Sequence, residues 1–291
     1  MATQDQAASL RLVRGQGDAT APRRERAIAV TGGKGGVGKS TIAVGLATAY
    51  SIDGARTLLV DGDLGMADLN LLLGVAPSRS LADLLAGAPL EDVLMRAHGI
   101  ELLPAMNGNF DLATMGAAAR ARSIELVGEL ARRHDTLVVD IAAGIGHHQL
   151  AFTRAARDVV VVVNPEPLSM ADAYACLKVL ALRAGLTSAY VVPNRVASRD
   201  QAESVVARLC DLVTRFVDLT LVPLPFVPAD PAVTEAARDG VPLLHHNPDA
   251  PAARALRRIA RALDSATTPD HRLRAAQDFW HQQLAVTGGE P

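Results

Sequence analysis

The run Gly33-Lys34-Gly35-Gly36-Val37-Gly38-Lys39-Ser40-Thr41 has the residue types of an anion cradle. A glycine, four residues and then Gly-Lys-Ser/Thr let backbone N–H groups converge on phosphate oxygens, because no Cβ stands in the way. Lys39 would supply a point charge for the outer phosphates of a nucleotide, and the Ser40 hydroxyl could ligate Mg²⁺. A helix starting here would aim the positive end of its dipole at the anion. Lys34 puts a second ammonium into the same loop.

Acidic strand ends complete the chemistry. Leu58-Leu59-Val60-Asp61-Gly62-Asp63 and Leu137-Val138-Val139-Asp140 each run from apolar residues into carboxylates. Carboxylates at the C-terminal ends of parallel strands face the crevice that a phosphate loop occupies. Phosphoryl transfer needs a placed metal, a placed water and neutralised charge rather than covalent help. Asp140 suits a carboxylate that holds Mg²⁺ through its water shell. Asp63 suits a water-positioning or general-base role, and Asp61 a place near the metal or a brace for the loop. Asn194-Arg195 follow the strand ending at Val192-Pro193. An amide there can read an adenine edge, and a guanidinium can stack on it.

The elements that must hold these residues are legible as alternating runs. Short β-branched runs lie at Ala27–Thr31, Thr57–Val60, Ile100–Leu103, Thr136–Val139, Val159–Val163 and Ala189–Val192, with a weaker one at Leu219–Leu224. They are apolar throughout, as strands covered on both faces are. Helical stretches alternate with them at Ser40–Ser51, Ala117–Arg133, Ser169–Arg183, Gln201–Phe216 and Ala250–Leu263. The pattern predicts a doubly wound α/β fold with a mostly parallel sheet. Residues 1–25 read as a polar arm with one short helix, 26–264 as the domain, and 265–291 as a linker and a final amphipathic helix.

Composition narrows the function classes. Of 291 residues, 49% are hydrophobic and 21% charged, enough apolar material for a large core. Lys and Arg number 29 against 31 Asp and Glu, a net charge of -2 that argues against a general nucleic-acid coat. Cys176 and Cys210 are too far apart in sequence for a zinc finger, a disulfide scaffold or a cysteine-ligated cluster. No run approaches the roughly 18 apolar residues of a membrane span. No secretory leader is visible, so the expected compartment is the cytoplasm. His147-His148 lack further ligands in sequence, and Cys176 reads as a packed thiol.

The Lys-Gly-Gly-Val-Gly-Lys-Ser-Thr form of the loop resembles the deviant Walker A motif of the MinD/ParA-like ATPases. The resemblance extends from about Ala27 to Leu263. It implies bound ATP or ADP with Mg²⁺, hydrolysis to ADP and phosphate, and an ATP-bound homodimer in which Lys34 reaches across the interface. It gives Asp63 the orientation of the attacking water and Asp140 the metal. It makes the loop after Asp140, Ile141-Ala142-Ala143-Gly144-Ile145-Gly146, a γ-phosphate sensor. Adenine recognition falls to Asn194 and to Val227-Pro228-Ala229-Asp230, through Pro228 and Asp230.

Within that family, Asp63-Leu64-Gly65-Met66-Ala67 and Pro165-Glu166-Pro167-Leu168-Ser169-Met170 look most like the flagellar-number regulators of the FlhG/FleN group. Asp5-Gln6-Ala7-Ala8-Ser9-Leu10-Arg11 matches that group's activator motif. There a short helix enters the catalytic chamber of FlhF, a GTPase of the signal-recognition type, and Gln6 would help to order its water. Leu10 and Arg11 would share that contact. A flagellar transcription regulator or a switch-complex protein would be further partners. The C-terminal stripe of Leu273, Ala276, Trp280 and Leu284 would grip the inner face of the membrane. Two alternatives remain open: a positioning ATPase for DNA segregation or division-site selection, and a binding regulator that uses nucleotide only to hold its shape. The sequence departs from the family pattern at Ser40 (commonly Thr), at Asp68 (often Asn) and at Ile141-Ala142.

Overall fold

Strands made of Val, Ile, Leu and Ala with no polar alternation need cover on both faces, and that requirement organises the molecule. The structure, a computed structural model, describes residues 26–63, 68–105, 117–144 and 146–266. The N-terminal arm with Gln6, Leu10 and Arg11, the segment Leu64–Ala67, Ile145 and the C-terminal stripe lie outside the described residues.

The strands are β1 (Arg26–Thr31), β2 (Thr57–Gly62), β3 (Met95–Ala97), β4 (Ile100–Leu103), β5 (Thr136–Ile141), β6 (Asp158–Val163), β7 (Ser188–Val196), β8 (Thr220–Pro223) and β9 (Val227–Pro228). They form one sheet in the order β3-β4-β2-β5-β1-β6-β7-β8, with β9 also paired to β7. All pairs are parallel except the hairpin of β3 and β4. The chain moves to one side of β1 for β2 and β4, returns with β5, and then crosses to the other side for β6. The order therefore reverses beside β1, where an open α/β sheet forms its crevice.

The helices are α1 (Lys39–Ile52), α2 (Leu69–Leu72), α3 (Leu81–Leu85), α4 (Leu90–Val93), α5 (Ala117–Ala131) and α6 (His147–Ala155), followed by α7 (Pro167–Ala184), α8 (Arg199–Phe216), α9 (Pro231–Asp239), α10 (Leu243–His246) and α11 (Pro251–Ser265). Alternate strand residues point to opposite layers. Ile28, Val30, Leu59, Val138, Val160 and Val162 pack with α1 and α11. Ala29, Val60, Val139, Val159, Val161 and Val163 pack with Val127 of α5, Phe152 of α6, Leu177 of α7 and Leu209 of α8. Gly45 lets α11 close on α1: a Cβ there would lie 2.5 Å from Leu256 Cδ1. At the N-terminal end of the sheet, buried Arg26 joins the layers. Its Nη1 sits 3.0 Å from both Tyr50 Oη and the Asp264 carboxylate.

The long elements match the sequence expectation to within a few residues. The difference lies in the short ones. The sequence assigns no element to 69–93, 147–155 or 231–246, whereas the structure places α2–α4, α6, α9 and α10 there. Helices of four to nine residues carry too few turns for a clear period of 3.6. Gly74, Pro77, Gly87 and Pro89 also break the first of these segments into pieces.

Candidate nucleotide site

The glycine-rich loop leaves β1 at Thr31 and enters α1 at Lys39, at the switch point of the sheet. Two close approaches shape it. A Cβ on Gly33 would lie 2.0 Å from the Asp172 carbonyl of α7, so helix backbone presses directly on loop backbone. Gly38 has φ 98°, and a Cβ there would lie 2.3 Å from Asn194 Nδ2. That amide donates to the Val37 carbonyl at 2.7 Å. Asn164, with its amide nitrogen oriented to satisfy its neighbours, donates to the same carbonyl at 3.1 Å and to the Asn194 carbonyl at 3.2 Å. Val37, Asn164 and Asn194 are all buried. A carbonyl holding two amide protons is fixed toward the protein, which leaves the N–H groups of the loop to face an anion.

The acidic wall stands beside Lys39 and Ser40. Asp61 and Asp140 are register partners across β2 and β5, and both are buried. Burial pushes the Asp140 carboxyl up to about 6, against a hydrogen bond from the Ser40 hydroxyl and the charge of Lys39. Burial, with the Asp140 charge adding to it, pushes Asp61 up to about 8. Asp61 Oδ1 accepts from the Asp63 backbone N–H at 3.0 Å, and the Leu69 N–H also bonds this carboxyl. Of the two roles open to Asp61, the geometry supports the brace: it pins both ends of the segment that carries Asp63.

The residues present fit Mg²⁺. Asp140 Oδ1 is buried with no hydrogen-bond partner among the described residues, and the Ser40 hydroxyl lies against the same carboxyl. A hard cation takes oxygen donors of this kind. Bound there with a triphosphate, it would neutralise charge on the outer phosphates.

Lys34 sits at the rim, with its Nζ 3.1 Å from the Glu166 carboxylate and both side chains substantially exposed. Asn194 and Arg195 lie beside Pro228 because β9 pairs with the end of β7. Arg195 is exposed, with φ 56°. Asp230 caps two helices: Oδ1 accepts from Ala232 N and Oδ2 from Ala252 N, each at 3.0 Å. The structure thus brings the loop, Asp61, Asp63 and Asp140 together, and sets the Asn194 loop against the same cradle. It commits the Asn194 amide to the loop and the Asp230 carboxylate to helix ends. Burial pushes the Cys176 thiol of α7 up to about 11, so it stays protonated.

Residues 28–243 match the family model of the CobQ/CobB/MinD/ParA nucleotide-binding domain. The chain belongs to this family. The antiactivator FleN of Pseudomonas aeruginosa is 37% identical over 244 residues, covering 83% of this chain and 87% of FleN. The flagellum site-determining protein YlxH of Helicobacter pylori is 34% identical over 185 residues, 62% of each chain. Among solved structures, the septum site-determining protein MinD of Pyrococcus horikoshii, complexed with Mg-ADP, superposes with a TM-score of 0.68 at 28% identity. That match covers 82% of this chain and 96% of MinD. The MinD-like fold is shown by this match.

Asn164 and Glu166 have no role in the sequence pattern. Asn164 carries a signal all the same: like Asn194 it is an asparagine directly after an apolar strand run, Val159–Val163. Glu166 carries none, because its partner lies 132 residues away.

This geometry has two measurable consequences. Asn194→Ala loosens the loop, so affinities for ATP and for GTP fall by the same factor in equilibrium titrations; loss confined to ATP would contradict the clamp and favour base reading. The second concerns pH. A carboxyl whose folded pKa is raised stabilises the fold at low pH and loses that contribution as pH rises through the folded value. Without nucleotide, thermal stability therefore falls between about pH 4 and 8, from the ordinary carboxyl value up to the folded values of Asp140 and Asp61. Asp61→Asn keeps an acceptor for the Asp63 N–H and raises the melting temperature at pH 8; an unchanged slope contradicts the assignment.

Proposed function

We propose that the protein is an ATP-hydrolysing switch that dimerises on ATP and sets flagellar number or placement. The observation that carries this reading is the position of Lys34. A second lysine stands at the rim of a complete phosphate cradle, held by one exposed ion pair to Glu166. Exposed pairs contribute about 0–1 kcal/mol, so triphosphate at a facing copy outcompetes Glu166 at small cost.

In this mechanism the loop N–H groups and Lys39 grip the phosphates, and Ser40 and Asp140 hold the metal. Asp63 positions the attacking water on the segment that Asp61 braces. Lys34 crosses to the partner copy and neutralises charge there. Turnover removes the group that Lys34 contacts, and the dimer dissolves. Similarity to FleN and YlxH supports the flagellar output. The arm motif around Gln6, Leu10 and Arg11 supports FlhF as a GTPase partner: a neutral amide can donate to one oxygen and accept from a water. The apolar stripe around Trp280 supports a reversible contact with the inner membrane face.

Sizing by light scattering tests the switch. Wild type is a monomer with ADP, and Asp63→Ala is a persistent dimer with ATP and Mg²⁺. Lys34→Ala binds ATP yet stays monomeric; a Lys34→Ala dimer overturns the crossing role. Gln6→Ala leaves ATP turnover unchanged and abolishes stimulation of the FlhF-type GTPase; full stimulation overturns the role of the arm.

A further inference from the structure

The exposed side of α11 differs from every other long described helix. Its sequence, PAARALRRIARALDS, holds four arginines and one acid. By contrast α8 carries three residues of each sign and joins Arg199 to Glu203 at 2.7 Å, and α5 joins Arg122 to Glu125 at 2.6 Å. Such pairs are the usual way a surface helix balances its charge. In α11 the acid, Asp264, faces Arg26 at 3.0 Å and not the arginines.

The buried face of α11 is apolar: Ala252, Ala253, Leu256, Ile259, Ala260 and Leu263 pack on the domain. That packing fixes where the arginines point. Arg254, Arg258 and Arg261 lie at i, i+4 and i+7 and are exposed, so they form one row along the helix. Arg254 and Arg257 are steadied by the carbonyls of Asp249 and Pro248. The side chains of Arg258 and Arg261 make no hydrogen bond or ion pair among the described residues. In a chain of net charge -2, an unbalanced cationic row on a rigid helix is a local departure that fits an anionic surface.

We propose that this row is a docking surface for anionic lipid headgroups, with arginine forks on phosphate oxygens. The segment C-terminal to α11 favours lipid over nucleic acid. There the chain runs on into the stripe of Leu273, Ala276, Trp280 and Leu284, apolar residues at helical spacing. A weak apolar anchor needs a second signal, and a basic patch on the adjoining helix is one. The inference rests on the peripheral membrane contact of the proposed function and adds a second, electrostatic contact on the folded domain.

The test is flotation of the full chain, with ATP and Mg²⁺, on vesicles of phosphatidylcholine with and without phosphatidylglycerol. Arg258→Gln/Arg261→Gln lowers partition onto the phosphatidylglycerol vesicles by roughly thirtyfold, from the ordinary contribution of two basic residues near an anionic leaflet. Partition onto pure phosphatidylcholine and affinity for ATP stay at wild-type values, and the wild-type advantage shrinks with added salt. Arg258→Glu/Arg261→Glu deepens the loss. Unchanged partition, equal loss on both vesicles, or no wild-type binding to phosphatidylglycerol vesicles overturns the proposal. So does salt-sensitive binding of duplex DNA that the double variant loses while its vesicle binding stays intact. Trp280→Asp separates the two contacts. Binding lost with Trp280→Asp but kept in the arginine variants leaves the apolar anchor standing and sinks the electrostatic one; the reverse pattern sinks the anchor alone.

Discussion

Two buried amides hold one carbonyl, and the nucleotide end of the molecule is built around that contact. Asn164 and Asn194 stand at the ends of neighbouring strands β6 and β7, and both donate to Val37. A loop carbonyl turned outward would repel an anion, and here the Val37 carbonyl is held inward by asparagines at the strand ends. The cost is spatial. With Asn194 against one side and α7 against the other, Gly33 and Gly38 have no room for a side chain. Gly33 and Gly38 are thus set by contacts with distant parts of the chain, whereas a Cβ on Gly35 or Gly36 would meet open space.

The same arrangement carries an electrostatic cost of its own. Asp61 and Asp140 are pressed together in low dielectric, and both hold their protons more tightly than free carboxyls do. A divalent cation beside Asp140 would reverse that preference, because both carboxylates would gain a counter-charge. Nucleotide binding, metal binding and the stability of the domain would therefore be one linked equilibrium. Asp63 belongs to it as well, since the Asp61 carboxyl fixes the turn from which Asp63 projects.

How much of this is legible in the sequence depends on the range of each interaction. The loop, the strand-end aspartates and the doubly wound sheet are local patterns. Apolar runs that end in Asp61 and Asp140 predict strands and their functional ends together. The brace function of Asp61 is one of two that its sequence position allows, and a hydrogen bond two residues long supports it. Family resemblance makes Asn194 a base contact; its bond to Val37 spans 157 residues and leaves no trace in spacing. Asp230 shows the opposite case. An Asp directly before Pro231 is a helix-cap signal, and the cap it makes is legible without any family. The unbalanced row on α11 is also present in sequence as PAARALRRIARALDS, but only packing shows which face is free.

The central claim is that the clamped glycine loop and the Asp140 wall together form a site for a magnesium-bound adenine nucleotide. Calorimetric titration of the purified chain with ATP, first at millimolar Mg²⁺ and then with the metal chelated, tests it most directly. The account predicts one nucleotide per chain at micromolar affinity with the metal present, and a loss of at least tenfold once it is removed. No measurable heat of binding with the metal present, or the same affinity without it, would contradict the account.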